Sequence, residues 1–170
     1  MKTRLELPGD RDASLEVERA AFGEPLEAAI VVAVRDEPGS VALVATDDDE
    51  TVVGHVQLST AWVGDEEVLA LGPIGVAPAR QRRGIGTALV AAALEAARGA
   101  GACAVILLGD PAWYGPRGFD PASRYGLRNP FAGVMADGFE IAEEDFQIAV
   151  LDAGAVRSLE GDVRWHPAFG

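Results

Sequence analysis

Seven consecutive residues, QRRGIGT at positions 81–87, have the types that a phosphate-binding loop needs. Two glycines separated by one residue let a phosphate approach the backbone without meeting a Cβ atom. The alanine-rich helical pattern that follows places backbone N–H groups and the positive end of a helix dipole at the same point. Arg82 and Arg83 can add charge-assisted hydrogen bonds to a diphosphate. The stretch therefore predicts an anion site where a helix begins.

Two familiar phosphate motifs do not fit these residues. A P-loop requires a lysine and then Ser or Thr after its last glycine, but Gly86 is followed directly by Thr87. The dinucleotide-binding fingerprint requires Gly or Ala at its sixth position, and counting from Gly84 that position is Leu89. Two interpretations stay open from the residues alone: a general anion site at a helix start, or a helix start whose glycines only turn the chain.

Composition limits the other function classes. The chain has 170 residues, which favours one domain. Its 14 basic and 27 acidic residues give a net charge of −13, which argues against a nucleic-acid partner and fits either solubility or a cationic substrate. The single cysteine, Cys103, favours a reducing compartment, which we expect to be the cytoplasm. No apolar run is long enough to cross a membrane, and no residue cluster predicts a metal site.

The elements that must position the loop follow from residue periodicity. The sequence predicts helices over 12–22, 25–35 and 86–98 and a short helix over 110–117, because each segment has helical spacing or a capping residue. It predicts strands over 40–46, 51–60, 66–76, 102–108 and 145–152, with an edge strand or tail over 161–169. The first two strands flank DDDE and form a hairpin, and Gly72-Pro73 interrupts the third strand.

These residues also carry a family resemblance. The stretch GVAPARQRRGIGTALV (75–90) resembles the acetyl-CoA-binding motif of the GNAT superfamily of N-acetyltransferases, whose core is Gln/Arg-x-x-Gly-x-Gly/Ala. Gln81, Gly84 and Gly86 match its three fixed positions. ALGPIGVAP (70–78) resembles the family's fourth strand, and LLGDPAWYGPRGF (107–119) resembles the segment after its fifth. The resemblance covers about residues 10–120, whereas residues 121–170 form a variable C-terminal part.

The resemblance implies an α/β fold in a single domain over residues 1–170. The expected architecture is a twisted mixed sheet of about seven strands flanked by helices. Its parallel fourth and fifth strands splay apart at their carboxyl ends, and the cofactor's pantetheine arm lies in the splay. We expect Gly72-Pro73 to mark the irregularity that opens it.

The resemblance also implies the activity: direct transfer of an acetyl group from acetyl-CoA, as co-substrate, to a primary amine, without a metal. The acceptor would be a small molecule or a peptide that the sequence does not identify. The pantetheine would contact Ile74, Gly75 and Val76. The diphosphate would be wrapped by Gln81, Arg82, Arg83, Gly84, Ile85, Gly86 and Thr87.

Two catalytic roles follow from the same resemblance. The backbone N–H of Val76 would donate to the thioester oxygen, as preorganised donors do in acyl transfer. Tyr114, a few residues before Gly118-Phe119, would donate to the departing thiolate, and we expect the helix start at Asp110 to favour its phenolate. The alternative is that Tyr114 only packs against the pantetheine.

The sequence offers several candidates for the general base that removes a proton from the amine acceptor. Glu66 and Glu67 open the strand before the splay, and His55 lies on the neighbouring strand with a side chain that ordinarily titrates near pH 6.5. A water chain is the fourth alternative. We expect His166 to be structural and Cys103 to be an inert core residue.

Two competing functions also stay open. A chain of this fold could bind acetyl-CoA as a sensor or scaffold without catalysing transfer, and an unrelated nucleotide-binding domain could use the same glycines. Neither nucleic acid nor a membrane is an expected partner, and a homodimer is an open alternative.

Overall fold

The computed structural model describes residues 1–136, 139–157 and 159–170 and shows ten strands and five α-helices among them. The strands are β1 (Lys2–Leu5), β2 (Val41–Thr46), β3 (Val52–Val63), β4 (Glu66–Val76), β5 (Ala104–Leu108), β6 (Asp120–Pro121), β7 (Met135–Ala136), β8 (Phe139–Glu140), β9 (Phe146–Val150) and β10 (Val163–Arg164). The helices are α1 (Arg11–Phe22), α2 (Leu26–Val34), α3 (Ile85–Gly99), α4 (Pro111–Tyr114) and α5 (Ala153–Val156).

Eight of these strands form one mixed sheet in the order β1-β2-β3-β4-β5-β9-β6, with β10 paired to β3. β4 and β5 are parallel, while β2 and β3 are antiparallel neighbours, as the hairpin prediction required. The paired residues of β4 and β5 are Leu69 with Val105 and Ala70 with Ile106, although β4 itself runs on to Val76. Gly72 follows this pairing with a φ of 150°, in a region that side chains rarely adopt. The predicted α/β fold with parallel fourth and fifth strands is confirmed.

The chain forms two compact units, and both β3 and β4 contribute residues to each of them. The first unit comprises Met1–Ser59, Leu71–Ala96 and His166–Gly170. Here α3 packs closely on β3, because a Cβ at Gly54 would lie 2.9 Å from both Ile85 Cγ2 and Leu89 Cδ1. Glycine at position 54 therefore lets the first turn of α3 sit directly against the strand.

The second unit comprises Thr60–Ala70 and Ala97–Trp165. Its apolar core surrounds β5 and β9, where Ile106, Phe146 and Ile148 are almost fully buried. Cys103 packs against this core, and burial raises the pKa of its thiol, which is consistent with an inert residue. The prediction that residues 1–170 form a single domain remains a prediction.

Most predicted elements are present, but β1, β6, β7, β8 and α5 were not predicted and several predicted strands are shorter. β1 was not predicted: KTRL has no buried position, and the strand forms through antiparallel pairing of Lys2–Leu5 with β2. The strand predicted over 102–108 begins only at Ala104, and the C-terminal strand is reduced to Val163–Arg164. Strand ends such as these depend on the partner strand, which the local pattern does not specify.

Candidate functional site

The loop predicted to bind an anion connects β4 to α3 in the first unit. After β4 ends at Val76, a single 3₁₀ turn leads to Gln81, and α3 begins at Ile85. Arg82 and Gly84 have φ angles of 59° and 80°, so the backbone turns through the left-handed region twice within three residues. The Gln81 side chain donates from Nε2 to the Val76 carbonyl oxygen at 3.1 Å. Gln81 therefore ties the loop to the end of the strand.

The start of α3 presents main-chain donors. Ala88 N–H donates to Gly84 O at 3.0 Å, which is the first backbone hydrogen bond of this helix. The N–H groups of Ile85 and Gly86 precede that bond, so they have no acceptor within the helix. Gly84 is exposed, and no atom lies within 4 Å of the position that a Cβ would occupy. An anion can therefore reach these donors and the positive end of a 15-residue helix.

The three arginines of the loop have different environments. Arg80 donates from Nη2 to Asp47 at 2.8 Å, which connects the loop to the β2–β3 turn. Arg82 and Arg83 are exposed on the helix side of that contact. In a chain with a net charge of −13, two exposed arginines beside a helix start form a local positive site.

The end of β4 is packed against α1. Ile74 and Val76 are partly buried, and Gly75 between them is buried. A Cβ at Gly75 would lie 2.7 Å from Glu18 Oε2 and 3.3 Å from Ala21 Cβ. A side chain at position 75 would displace the Glu18 carboxylate, so Glu18 is a close neighbour of the strand segment that we expected to hold the pantetheine.

Tyr114 lies in the second unit within an aromatic cluster. Asp110 caps α4 by accepting from Ala112 N–H at 2.8 Å, as predicted from the Asp-Pro pair. The Tyr114 ring lies 4.6 Å from the Trp113 ring and 5.6 Å from the Phe119 ring, centroid to centroid. A Cβ on Gly109 would overlap the Tyr114 ring, so that glycine allows the tyrosine to pack on the backbone.

The expected electrostatics of Tyr114 were wrong in direction. Burial raises the pKa of Tyr114 to about 12, with Arg117 lowering it by a smaller amount. The four-residue α4 does not outweigh this desolvation, so its environment disfavours the phenolate instead of favouring it. Tyr114 is therefore a neutral phenol near pH 7, which is the form that donates a hydrogen bond.

The three candidate bases lie in contrasting environments. Glu66 and Glu67 are exposed at the first two positions of β4 in the second unit. His55 in the first unit has no exposed surface, and its Nδ1 lies 2.6 Å from Oε1 of Glu18. His166 accepts from Ala168 N–H at Nδ1, a local contact at a 3₁₀ turn.

Glu18 is the residue that the sequence reasoning missed. It lies between Val17 and Ala21, on a helix face that is otherwise apolar or small, and it is fully buried together with Ser14 one turn earlier. A carboxylate at such a position in an amphipathic helix is a detectable signal, because a buried acid needs a partner. The partner, His55, is 37 residues away in the sequence.

The comparison with known proteins decides the family. The sequence model of the GNAT acetyltransferase family matches residues 11–113. The chain is a GNAT protein. It is 31% identical to the uncharacterized N-acetyltransferase YhbS of Escherichia coli K12, over 99% of this chain and 98% of that relative. The recognition from residues 75–90 is confirmed, and the chain is an acyltransferase by membership of this family.

Solved GNAT structures show the same fold over nearly the whole chain. A crystal structure of Escherichia coli YhbS in complex with CoA has a TM-score of 0.84 and 31% identity, covering 99% of this chain and 91% of that one. A GNAT acetyltransferase of Brucella melitensis in complex with acetyl-CoA has a TM-score of 0.77 and 32% identity, covering 99% and 97%. These ligands support acetyl-CoA as the co-substrate. Within the described residues, no helix combines the length and apolar character needed to span a membrane.

Proposed function

We propose that this GNAT protein transfers an acetyl group from acetyl-CoA directly to a primary amine of a small molecule or peptide. The observation that carries the proposal is the open start of α3, where main-chain donors, Gly84 and two exposed arginines form a positive site on an acidic chain. The relatives that bind CoA or acetyl-CoA match this chain over almost its full length, which supports the same co-substrate here.

The residues proposed to bind acetyl-CoA lie in the first unit, at the end of β4, in the loop that follows and in the first turn of α3. Ile74, Gly75 and Val76 contact the pantetheine through the backbone of β4. The diphosphate is held by the loop and the first turn of α3, whose residues are Gln81, Arg82, Arg83, Gly84, Ile85, Gly86 and Thr87. The Val76 N–H donates to the thioester oxygen as negative charge develops there, a contribution of about 3 kcal/mol for such a donor.

The transfer requires two proton losses from an ammonium acceptor. The first gives the neutral amine, whose lone pair forms a C–N bond to the thioester carbon. The C–S bond then breaks with its electron pair on sulfur. The second amine proton leaves as the amide forms, and one proton is returned to the thiolate to give CoA thiol. We propose that the Tyr114 hydroxyl donates to that sulfur, a role that its protonated state at neutral pH supports.

The test is acetyl transfer to four amines of different classes: spermidine, kanamycin, lysine and a peptide with a free N-terminus. Release of CoA thiol is followed together with the acetylated product by mass spectrometry. We expect amine-dependent thiol release and a product 42 Da heavier for at least one of them. Tight binding of acetyl-CoA without transfer to any of the four would support a non-catalytic sensor or scaffold instead.

Arg82 and Arg83 are expected to serve the cofactor and not the acceptor. Changing either to alanine should raise the KM for acetyl-CoA roughly tenfold, because one charge-assisted contact to a phosphate is lost, and should leave the KM for the amine nearly unchanged. Arg128→Ala is the matched control, since Arg128 is also exposed but lies in the other unit. A larger effect on the amine KM would assign these arginines to the acceptor.

The proposal also covers the domain organisation, the cellular location and the assembly of the protein. The single-domain organisation over residues 1–170 and the cytoplasmic location rest on chain length and on the lone Cys103. A homodimer is an open alternative for the assembly.

A further inference from the structure

A buried cluster of charged and polar side chains joins α1, the residue after α2, β3 and the segment after β1. Its members are Glu6, Ser14, Glu18, Arg35 and His55, and we call it the Glu18–His55 cluster. His55 Nδ1 lies 2.6 Å from Glu18 Oε1, and neither side chain has exposed surface. On the other side of the imidazole ring, His55 Nε2 lies 3.9 Å from Glu6 Oε1. That oxygen accepts a hydrogen bond from the Ser14 hydroxyl and another, 3.1 Å long, from Arg35 Nη2.

The second carboxylate oxygen of Glu18, Oε2, makes no hydrogen bond to the other side chains of the cluster. Glu18 Oε2 is buried and makes no hydrogen bond of good geometry in the part of the chain that the structure describes, although the Gly75 backbone N–H beside it lowers the pKa of Glu18. It faces the backbone of Gly75, where a Cβ would lie only 2.7 Å away. A carboxylate oxygen without a well-formed hydrogen bond loses its hydration on burial, which is unfavourable. Glu18 Oε2 is therefore an acceptor held next to β4, one residue before Val76.

The same face of β3 carries further polar atoms without partners. Side chains two residues apart on a strand share a face, which places Gln57 and Ser59 in line with His55. All three are buried, and among the described residues His55 Nε2, Gln57 Oε1 and Ser59 Oγ have no hydrogen-bond partner. Buried polar atoms in a native core ordinarily have hydrogen-bond partners, so these three atoms give this face of β3 a polar character.

From this arrangement we propose that Glu18 is the general base that accepts the proton of the amine acceptor, with His55 as a positioning residue that holds the carboxylate through Oε1. The inference deepens the proposed function and rests on it, because Gly75 and Val76 are the residues proposed to hold the thioester end of acetyl-CoA. The site would take a primary ammonium, whose charge complements the buried carboxylate.

The proposed transfer can be followed proton by proton. An R–NH₃⁺ acceptor gives one proton to Glu18 Oε2, and the freed lone pair attacks the thioester carbon. The electron pair of the C–S bond leaves on sulfur, which ends as a thiol. The remaining surplus proton of nitrogen leaves as the amide forms and is balanced by the proton that the thiolate takes up, so the one proton released overall is that on Glu18, which returns to solvent after product departs.

The surroundings of Glu18 suit a base. Burial has the largest influence and raises the pKa of Glu18, the hydrogen bond from His55 and the Gly75 backbone N–H lower it, and the nearby Glu27 of α2 raises it. Glu6 and Arg35 face His55 from its other side and form an ion pair with each other. A raised carboxyl pKa brings the proton acceptor closer to the ammonium that it must deprotonate. Activity that needs the carboxylate is then lost as the pH falls through that raised pKa.

The test compares Glu18→Gln with Glu16→Gln, the same change at an exposed position of the same helix. With the best acceptor among spermidine, kanamycin, lysine and the peptide, we expect kcat at pH 7 to fall about a hundredfold to a thousandfold in Glu18→Gln. The CoA affinity should not change. Glu16→Gln should keep wild-type turnover.

The pH profile separates a base from a structural residue. The Glu18→Gln rate should rise about tenfold per pH unit up to pH 9.5, as more amine becomes neutral, so its deficit relative to wild type shrinks. Glu18→Asp, which keeps a carboxylate, should recover part of the turnover with the wild-type profile. A pH-independent deficit, or wild-type turnover in Glu18→Gln, would overturn the inference while leaving the proposed function intact. A wild-type protein that acetylates none of the four amines would overturn both.

Discussion

Replacing Gly84 by glutamate is expected to raise the Kd for CoA by at least about a hundredfold. Gly84 lies at the start of α3 with a φ of 80°, and the space where its Cβ would stand is open. A carboxylate there would occupy the proposed position of a phosphate and repel it at close range. A hundredfold change corresponds to about 2.7 kcal/mol, which two like charges at a few ångströms supply readily. Isothermal titration calorimetry with CoA measures the effect directly.

Gly101 provides a matched control for this substitution. It also has a φ of 80° with nothing within 4 Å of its Cβ position, but it follows the C-terminal end of α3. Gly101→Glu therefore introduces the same charge and the same backbone strain away from the loop, and it should keep CoA affinity within about twofold. Equal CoA affinity in Gly84→Glu and wild type would show that the diphosphate does not bind at the start of α3.

Tyr114→Phe is expected to reduce kcat roughly tenfold to a thousandfold, with acetyl-CoA binding nearly unchanged. The substitution keeps the ring that packs on Gly109 and Phe119 and removes only the hydroxyl. With a pKa of about 12, the hydroxyl would have to lose its proton uphill by roughly 5 kcal/mol to reach a thiolate of ordinary basicity. Its contribution is therefore a strong hydrogen bond that accompanies thiolate departure.

The controls for Tyr114 use the other tyrosine and the pH. Tyr125 is the second of two tyrosines, and Tyr125→Phe should leave turnover unchanged because this side chain is partly exposed outside the aromatic cluster. Because the Tyr114 phenol keeps its proton up to a pH near 12, its contribution to kcat should be constant between pH 7 and pH 10. Wild-type turnover in Tyr114→Phe, measured where chemistry limits the rate, would remove the hydroxyl from the mechanism.

Local sequence was sufficient for the parts of the candidate site that are contiguous in the chain. Gln81, Gly84 and Gly86 were recognisable because a helix start binds anions through neighbouring main-chain groups. The Asp110 cap was predicted for the same reason, since an Asp-Pro pair and the N–H that it caps are two residues apart. The parallel arrangement of β4 and β5 followed from the resemblance and was confirmed by the structure.

Tertiary structure decided the properties that depend on partners distant in sequence. β1 exists through backbone pairing with β2, about 40 residues later, and its own side chains carry no burial signal. The pKa of Tyr114 could not be predicted with the correct sign, because the aromatic packing that desolvates it is stronger than the dipole of a four-residue helix.

Glu18 shows most clearly what the sequence could not predict. A glutamate on the apolar face of an amphipathic helix can be noticed in the sequence, but the sequence does not say which groups it contacts. Only folding places it beside His55, 37 residues away, and against the backbone of Gly75. The sequence alone determined the family and the motif of the proposed cofactor loop, which neighbouring residues encode, and the resemblance supplied the parallel strands. The candidate base came from the tertiary structure, because the burial and proximity that perturb a carboxylate arise only when distant segments pack together.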